Sequence, residues 1–309
     1  MAFEELRTRL ADVVAIPVTP FDNHGSVDDA GYARILLRMS EIGINVVTPN
    51  GNTSEYYSLT EDEAKHAAEL TVATVGARCT VLVGVGHAVP DAIRAAEHAR
   101  GVGADAIMVH QPVHPYLSKE GWVEYHRQIA AAVPEIGVVL YVKNPRIDGA
   151  TIAHLADASP NLVAVKYSVP DPVTFATAVK DCNREHLVWI AGLAELSAPG
   201  YWATGATGFT SGLANITPRL SLDILNSLRN DKFDQAMEAW ALIEPFEKLR
   251  ALNGSENNVS VVKEALAQVG LCRRNVRPPI TTLSQAGRSL VRKMVQTWRQ
   301  VGELEESLS

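Results

Sequence analysis

A lysine and a tyrosine each end an apolar segment of the sequence, at the point where a buried strand would stop. Lys166 ends the segment Asn161-Leu-Val-Ala-Val-Lys166, and Tyr141 ends Gly137-Val-Val-Leu-Tyr141. Burial lowers the pKa of a lysine amine toward neutrality, and the free amine then attacks a carbonyl carbon to form a Schiff base. A tyrosine hydroxyl beside that amine can relay protons. The two residues therefore predict imine chemistry on a carbonyl substrate.

Both residues also have simpler interpretations, which the sequence leaves open. A lysine at a strand end can extend its amine into solvent, and a tyrosine there can pack with its hydroxyl in water. The polar loop Pro49-Asn-Gly-Asn-Thr-Ser-Glu55 is similarly ambiguous. Its backbone N–H groups can bind a carboxylate, yet it is also rich in ordinary turn-forming residues.

Eight short apolar segments alternate with Ala-, Leu- and charge-rich segments of helical period. The predicted strands are Val13–Pro17, Asn45–Thr48, Thr80–Gly84, Ala106–His110, Val138–Tyr141, Leu162–Lys166, Leu187–Ala191 and Gly208–Thr210. The predicted helices between them include Asp29–Ile42, Thr60–Val75, Pro90–Gly101, Lys119–Ala132, Thr151–Ala158 and Pro172–Cys182. Asp28 is a predicted N-cap, and Thr60 with Glu63 has the spacing of a capping box.

This alternation predicts an α/β protein with a (β/α)8 TIM barrel, because parallel strands need helical crossovers and eight of them close on themselves. An open doubly wound sheet is the alternative. We expect residues 1–225 to form the barrel with the active site, and residues 226–309 to form a small C-terminal helical domain. Active sites of such barrels lie at the C-terminal ends of the strands. The predicted C-terminal helices are Leu220–Leu228, Phe233–Leu252, Ser260–Val269 and Gln285–Trp298.

Composition excludes several classes of function. The 309 residues include 28 Lys and Arg against 35 Asp and Glu, which gives a net charge of −7 with no basic run, so nucleic acid is not an expected partner. No segment has the roughly 18 apolar residues of a membrane span, and the N-terminus lacks the pattern of a signal peptide, so we expect a cytoplasmic protein with no membrane partner. The three cysteines and scattered histidines predict no metal site.

The residues in this order resemble the dihydrodipicolinate synthase and N-acetylneuraminate lyase family. Its members are Schiff-base aldolases and lyases built on a (β/α)8 barrel with a C-terminal helical domain. The resemblance covers nearly the whole chain. It is carried by Ile16-Pro-Val-Thr-Pro-Phe21, Gly51-Asn-Thr-Ser-Glu55 in place of a G-T-T-G-E loop, Tyr141, Lys166, Gly205-Ala-Thr-Gly208, Ala214-Asn215, Val262-Lys263-Glu-Ala-Leu and Arg277-Pro-Pro-Ile280.

The resemblance implies a role for each matching residue. Lys166 would form the imine with pyruvate or a longer 2-keto acid, and Tyr141 would pass protons. Asn52 and Thr53 would hold the substrate carboxylate, and Thr210 would add a backbone carbonyl. Glu55 would hold the loop. The imine on Lys166 would make a metal or organic cofactor unnecessary, and family members are commonly homotetramers made of two tight dimers.

Two departures affect the substrate. Synthases of the family carry a Tyr-Tyr pair where this sequence has Val113 and His114, and one of those tyrosines enters the proton relay from a neighbouring subunit. Arg146 stands where synthases place an arginine for the carboxylate of the second substrate, although a solvated arginine is an equal interpretation. The loop 51–59 resembles the branch that dehydrates 5-dehydro-4-deoxyglucarate.

Three functions follow from these comparisons of residues. The first is a lyase or aldolase acting on pyruvate or a 2-keto-3-deoxy sugar acid, by cleavage, condensation or dehydration next to the iminium. The second is a genuine 4-hydroxy-tetrahydrodipicolinate synthase, which condenses pyruvate with aspartate semialdehyde and uses His114 in its relay. The third is a catalytically silent protein that binds a keto acid.

Overall fold

The computed structural model describes residues 3–304 and contains a closed barrel of eight parallel strands. Each strand pairs with the next along the chain, and the last pairs with the first, which excludes the open doubly wound alternative. The strands are β1 Val13–Ala15, β2 Val46–Val47, β3 Thr80–Val85, β4 Ala106–Val109, β5 Gly137–Val142, β6 Leu162–Tyr167, β7 Val188–Ala191 and β8 Gly208–Ser211. The predicted barrel is confirmed.

Helices surround the barrel and continue beyond it. They are α1 Glu4–Leu10, α2 Asp29–Ile42, α3 Glu61–Val75, α4 Val89–Gly101, α5 Lys119–Ala132, α6 Gly149–Ala158, α7 Pro172–Cys182, α8 Ala194–Trp202, α9 Pro218–Arg229, α10 Phe233–Ser255, α11 Asn258–Gln268 and α12 Gln285–Gln300. Both predicted N-terminal signals are present. Asp28 accepts a hydrogen bond from Gly31 N–H at 2.9 Å, and Thr60 with Glu63 forms a complete capping box.

Two helices, α1 and α8, were not predicted from the sequence. The α8 segment contains Pro199 and Gly200, which normally argue against a helix, yet Ala198 and Tyr201 bury its inner face in the core. The α1 segment is only seven residues long. Tertiary packing therefore decides both helices, since their local propensity is weak.

Side chains alternate between the inside and the outside of the barrel. Val139 and Tyr141 of β5 belong to the inner cluster, whereas Leu140 and Val142 pack against the surrounding helices. The same alternation in β6 puts Ala164 inside and Val165 outside. Tyr141 and Lys166 therefore both face the barrel interior, near the C-terminal ends of β5 and β6.

The C-terminal helices share one hydrophobic core with the helices around the barrel. Val262 of α11 and Trp298 of α12 are buried in the same cluster as Phe175 of α7. Helix α10 is interrupted at Leu252–Gly254, where Asn253 and Gly254 adopt left-handed backbone angles. The division at residues 225 and 226 stays a prediction, and its outermost residues, 1–2 and 305–309, lie outside the described residues.

Candidate active site

Lys166 lies at the C-terminal end of β6 and is 4% exposed. The register of the sheet places it directly beside Tyr141 of β5, and its Nζ lies 4.4 Å from the centroid of the Tyr141 ring. Burial and, to a smaller extent, the positive charge of Lys143 together lower the pKa of Lys166 to about 7. A substantial fraction of this amine is therefore uncharged near neutral pH, which is the form that attacks a carbonyl.

Tyr141 is 6% exposed and its hydroxyl contacts the polar loop after β2. Asn52 Nδ2 donates a hydrogen bond to Tyr141 Oη at 3.1 Å. Burial raises the pKa of Tyr141, while the Ser168 hydroxyl and the Asn52 amide act in the opposite direction. The phenol is neutral at physiological pH, and because its oxygen accepts from Asn52, its own proton remains available for transfer.

The loop 51–55 forms a tight turn against the end of β1. Ser54 Oγ donates to Pro17 O at 2.6 Å, and Thr19 Oγ1 donates to Ser54 O at 2.8 Å. Thr53 is buried in this turn. The backbone N–H groups of Asn52 and Thr53 donate to no other group in residues 3–304. They are therefore free to bind an anion, on the loop whose Asn52 side chain contacts Tyr141.

Glu55 anchors this loop through two contacts from the C-terminal part of the chain. Its carboxylate forms a fully buried ion pair with Lys263 of α11, and it accepts a hydrogen bond from Arg277 N–H at 2.9 Å. Burial lowers the pKa of Lys263, and Glu55 opposes that effect. Glu55 also has a positive φ of 60°, which a non-glycine residue adopts only with such support. The carboxylate is thus committed to holding the loop.

Two glycines let neighbouring backbone approach the site. A Cβ on Gly84 would lie 2.2 Å from Asn50 O, and a Cβ on Gly192 would lie 3.0 Å from Lys166 Cγ and 2.0 Å from Ser168 Oγ. Both positions therefore exclude larger residues. Ser168 is buried, and its hydroxyl lies close enough to Tyr141 to lower the pKa of that phenol, without a hydrogen bond of good geometry in residues 3–304. Sequence reasoning missed Ser168, although its position two residues after Lys166 places it on the same face of β6.

His110 supports the loop from the barrel side. Its Nε2 lies 2.7 Å from Asn50 O, and its ring stacks on Tyr56 with a centroid distance of 4.5 Å. Burial lowers the pKa of His110 to about 3, so the imidazole is neutral and donates this hydrogen bond. The residue has a structural role that the sequence did not specify.

The remaining predicted residues lie in different surroundings. Thr210 is buried on the inner face of β8, in register with Val14. His114 lies in an exposed loop, where its Nδ1 accepts a hydrogen bond from the N–H of Tyr116 at 3.2 Å. Arg146 is exposed on the loop after β5. The structure thus brings together Lys166, Tyr141, Asn52 and Thr53, and leaves His114 and Arg146 at the rim.

Between residues 3 and 304, His, Cys, Asp and Glu nowhere gather in a group of three that would hold a metal ion. Helices within that range are also too short or too polar to cross a membrane.

The fold and the site define a (β/α)8-barrel enzyme that carries a buried lysine of lowered pKa at its mouth. A sequence model of the dihydrodipicolinate synthetase family matches residues 9–298. The chain belongs to this family and is a lyase.

Similar proteins carry two different names. A probable 5-dehydro-4-deoxyglucarate dehydratase of Acinetobacter baumannii (strain AB307-0294) is 29% identical over 287 residues, covering 91% of this chain and 94% of that protein. A 4-hydroxy-tetrahydrodipicolinate synthase of Phenylobacterium zucineum (strain HLK1) is 30% identical over 279 residues, covering 89% and 92%. The crystal structure of dihydrodipicolinate synthase from Bacillus clausii matches with a TM-score of 0.92 and 38% identity, covering 95% and 99%.

The lowered pKa of Lys166 predicts the pH dependence of its reactivity. Labelling of the Lys166 amine by acetic anhydride, followed by peptide mass spectrometry, should rise with pH to a midpoint near 7, because only the neutral amine reacts. Lys143→Met should move this midpoint upward, since it removes a neighbouring positive charge. Lys180→Met, which removes an exposed lysine, is the matched control and should leave the midpoint unchanged. A midpoint near 10 in the unaltered protein would contradict the prediction.

Breaking the buried ion pair should destabilise the protein. Glu55→Gln leaves the Lys263 ammonium buried without a counter-charge, which typically costs about 3–5 kcal/mol in the free energy of unfolding. Glu124→Gln removes one partner of an exposed pair with Arg127 and should change the stability much less, because solvent screens that pair. Urea titration measures both.

The double variant Glu55→Gln/Lys263→Met provides a further check on this interaction. It removes both charges and should recover part of the lost stability. Equal losses of stability for Glu55→Gln and Glu124→Gln would show that the buried pair stabilises the protein no more than the exposed pair does.

Proposed function

We propose that this lyase forms a Schiff base between Lys166 and the keto carbon of a 2-keto acid, either pyruvate or a 2-keto-3-deoxy sugar acid. The single observation that carries the proposal is the buried Lys166 amine, with a pKa of about 7, beside the Tyr141 ring. The iminium withdraws electrons from the neighbouring carbon and so serves as the electron sink. The proposed reaction therefore uses no metal or organic cofactor.

The first step joins the Lys166 amine to the substrate. Nζ attacks the keto carbon, the carbonyl oxygen leaves as water with the two protons of the amine, and one further proton makes the iminium. Loss of a proton from the neighbouring carbon then gives an enamine. In a condensation, that enamine adds to an aldehyde. In a dehydration, it expels a hydroxyl from the next carbon. In a cleavage, the enamine forms directly when the carbon–carbon bond breaks.

Tyr141 is the proposed acid/base for these proton transfers. Its ring centroid lies 4.4 Å from Lys166 Nζ, and the Asn52 amide, which donates to Oη, stabilises the phenolate formed when Tyr141 gives up its proton. The free N–H groups of Asn52 and Thr53 would hold the substrate carboxylate. Thr210 would contribute its backbone carbonyl from β8, which is separated from β6 by one strand.

The residues at the relay positions favour a sugar acid over a second substrate handled by a tyrosine relay. Val113 and His114 stand where synthases carry the Tyr-Tyr pair, and His114 Nδ1 accepts a hydrogen bond from the N–H of Tyr116 within its own loop. The genuine synthase, which condenses pyruvate with aspartate semialdehyde, remains the second candidate because of the match to the Bacillus clausii synthase. A silent binding protein is less well supported, because Lys166, Tyr141 and the carboxylate loop are all present.

We also propose that the protein acts in the cytoplasm as a homotetramer, a dimer of dimers, with no nucleic-acid or membrane partner. Exposed Tyr57, Val113 and Tyr116 surround the barrel mouth and provide apolar area for a second copy. Light scattering during gel filtration should give a mass of four chains. A monomer at micromolar concentration would contradict this assembly.

Borohydride trapping tests the proposed Schiff base. Incubation with pyruvate and borohydride should add one reduced adduct per chain, and peptide mapping should locate it on Lys166. Lys166→Ala should lose the adduct and all turnover while keeping its melting temperature within a few degrees. Lys180→Met, which removes an exposed lysine of α7, should be labelled like the unaltered protein.

A negative result with pyruvate extends the same experiment to longer substrates. The trap is then repeated with 5-dehydro-4-deoxyglucarate and other 2-keto-3-deoxy sugar acids. Failure with all of them would overturn the proposal and favour a silent binding protein. With a positive trap, assays of sugar-acid turnover and of condensation with aspartate semialdehyde, run side by side, separate the two candidate functions.

A further inference from the structure

Lys143 stands above Tyr141 at the mouth of the barrel. It follows the last residue of β5 and is two residues beyond Tyr141, whose side chain faces inward while that of Val142 faces the helices. The alternation of a strand therefore directs Lys143 toward the barrel axis, about 6.6 Å further along the strand. Its backbone N–H donates to Gln111 Oε1 at 3.4 Å, which ties this position to the neighbouring loop.

Among the described residues, no carboxylate forms an ion pair with Lys143. Within residues 3–304, neither Lys143 nor Arg146 forms an ion pair. The acidic residues of the adjacent loops are engaged elsewhere: Asp148 pairs with Lys119, and Asp171 accepts hydrogen bonds from the N–H groups that begin α7. Lys143 also acts on the Lys166 amine through space, which places its charge near the reacting centre.

We propose that Lys143 is a specificity-determining residue that binds the second carboxylate of a dicarboxylic 2-keto-3-deoxy acid. This inference rests on the proposed Schiff base. The first carboxylate of such an acid would lie at the Asn52 and Thr53 N–H groups, and its keto carbon at Lys166. The carbon chain would then extend outward along β5, toward the unpaired ammonium of Lys143.

An ammonium is well suited to a carboxylate at this exposed position. A charge-assisted hydrogen bond adds affinity only when the ligand carries the negative group, so Lys143 discriminates between acids that differ at their far end. A substrate with a neutral hydroxymethyl group there gains little from Lys143. The contact is also partly screened by salt, because Lys143 is exposed.

The experiment compares two acids that differ only at the last carbon. These are 5-dehydro-4-deoxyglucarate, which ends in a carboxylate, and the 2-keto-3-deoxyhexonic acid of the same configuration, which ends in a hydroxymethyl group. For each acid, the concentration that gives half-maximal borohydride inactivation is measured, so that the result does not depend on later steps. Effects of Lys143 on the Lys166 amine cancel in the ratio of the two concentrations.

The unaltered protein should prefer the dicarboxylic acid, and Lys143→Met should reduce this preference about tenfold. Lys143→Arg should restore most of it, and 0.5 M NaCl should weaken it in the unaltered protein. Lys180→Met is the matched control and should keep the full preference.

Other outcomes separate this inference from the function on which it rests. If both acids are trapped and Lys143→Met keeps the preference, the assignment of Lys143 is wrong while the Schiff base stands. If Arg146→Met removes the preference and Lys143→Met does not, the second carboxylate belongs to Arg146. Absence of any adduct with pyruvate and with both acids would overturn the proposed function and this inference together.

Discussion

The site depends on the register between two neighbouring strands. Tyr141 of β5 lies opposite Lys166 of β6, and a shift of one residue in either strand would turn one of the two side chains toward the outer helices. Closure of the barrel makes such a shift costly, because each strand is paired on both sides and its outer residues fill the layer beneath the helices. The same packing removes the Lys166 amine from water, and this desolvation is the main cause of its lowered pKa.

Patterns that repeat along the chain predicted the fold and the centre of the site. The alternation of strands and helices predicted the barrel, and polar residues that end apolar strands predicted Lys166 and Tyr141. These features are local, so a single sequence displays them. The predicted ends of the strands were less accurate. The first strand was predicted over Val13–Pro17 but stops at Ala15, because Pro17 has no N–H to continue the ladder.

Contacts between distant parts of the chain could not be predicted in the same way. Nothing local to Asn52 shows that its amide donates to Tyr141, 89 positions later. The ion pair of Glu55 with Lys263 joins residues 208 positions apart, and the place of Asn215, which accepts from Val18 N–H at 2.9 Å, depends on closure of the barrel. His114 shows the opposite case. Its position along the chain matches it to the tyrosine pair of the synthases, but the structure places it in an exposed loop at the rim of the barrel.

The link between Glu55 and Lys263 has a consequence for biosynthesis. A ribosome completes all eight strands before it reaches α11, so the growing chain contains the barrel sequence while Glu55 still lacks its counter-charge. The loop 51–55 therefore lacks this anchor until α11 has been synthesised and has docked. A chain that stops before α11 would contain all eight strands with Glu55 still unpaired from Lys263.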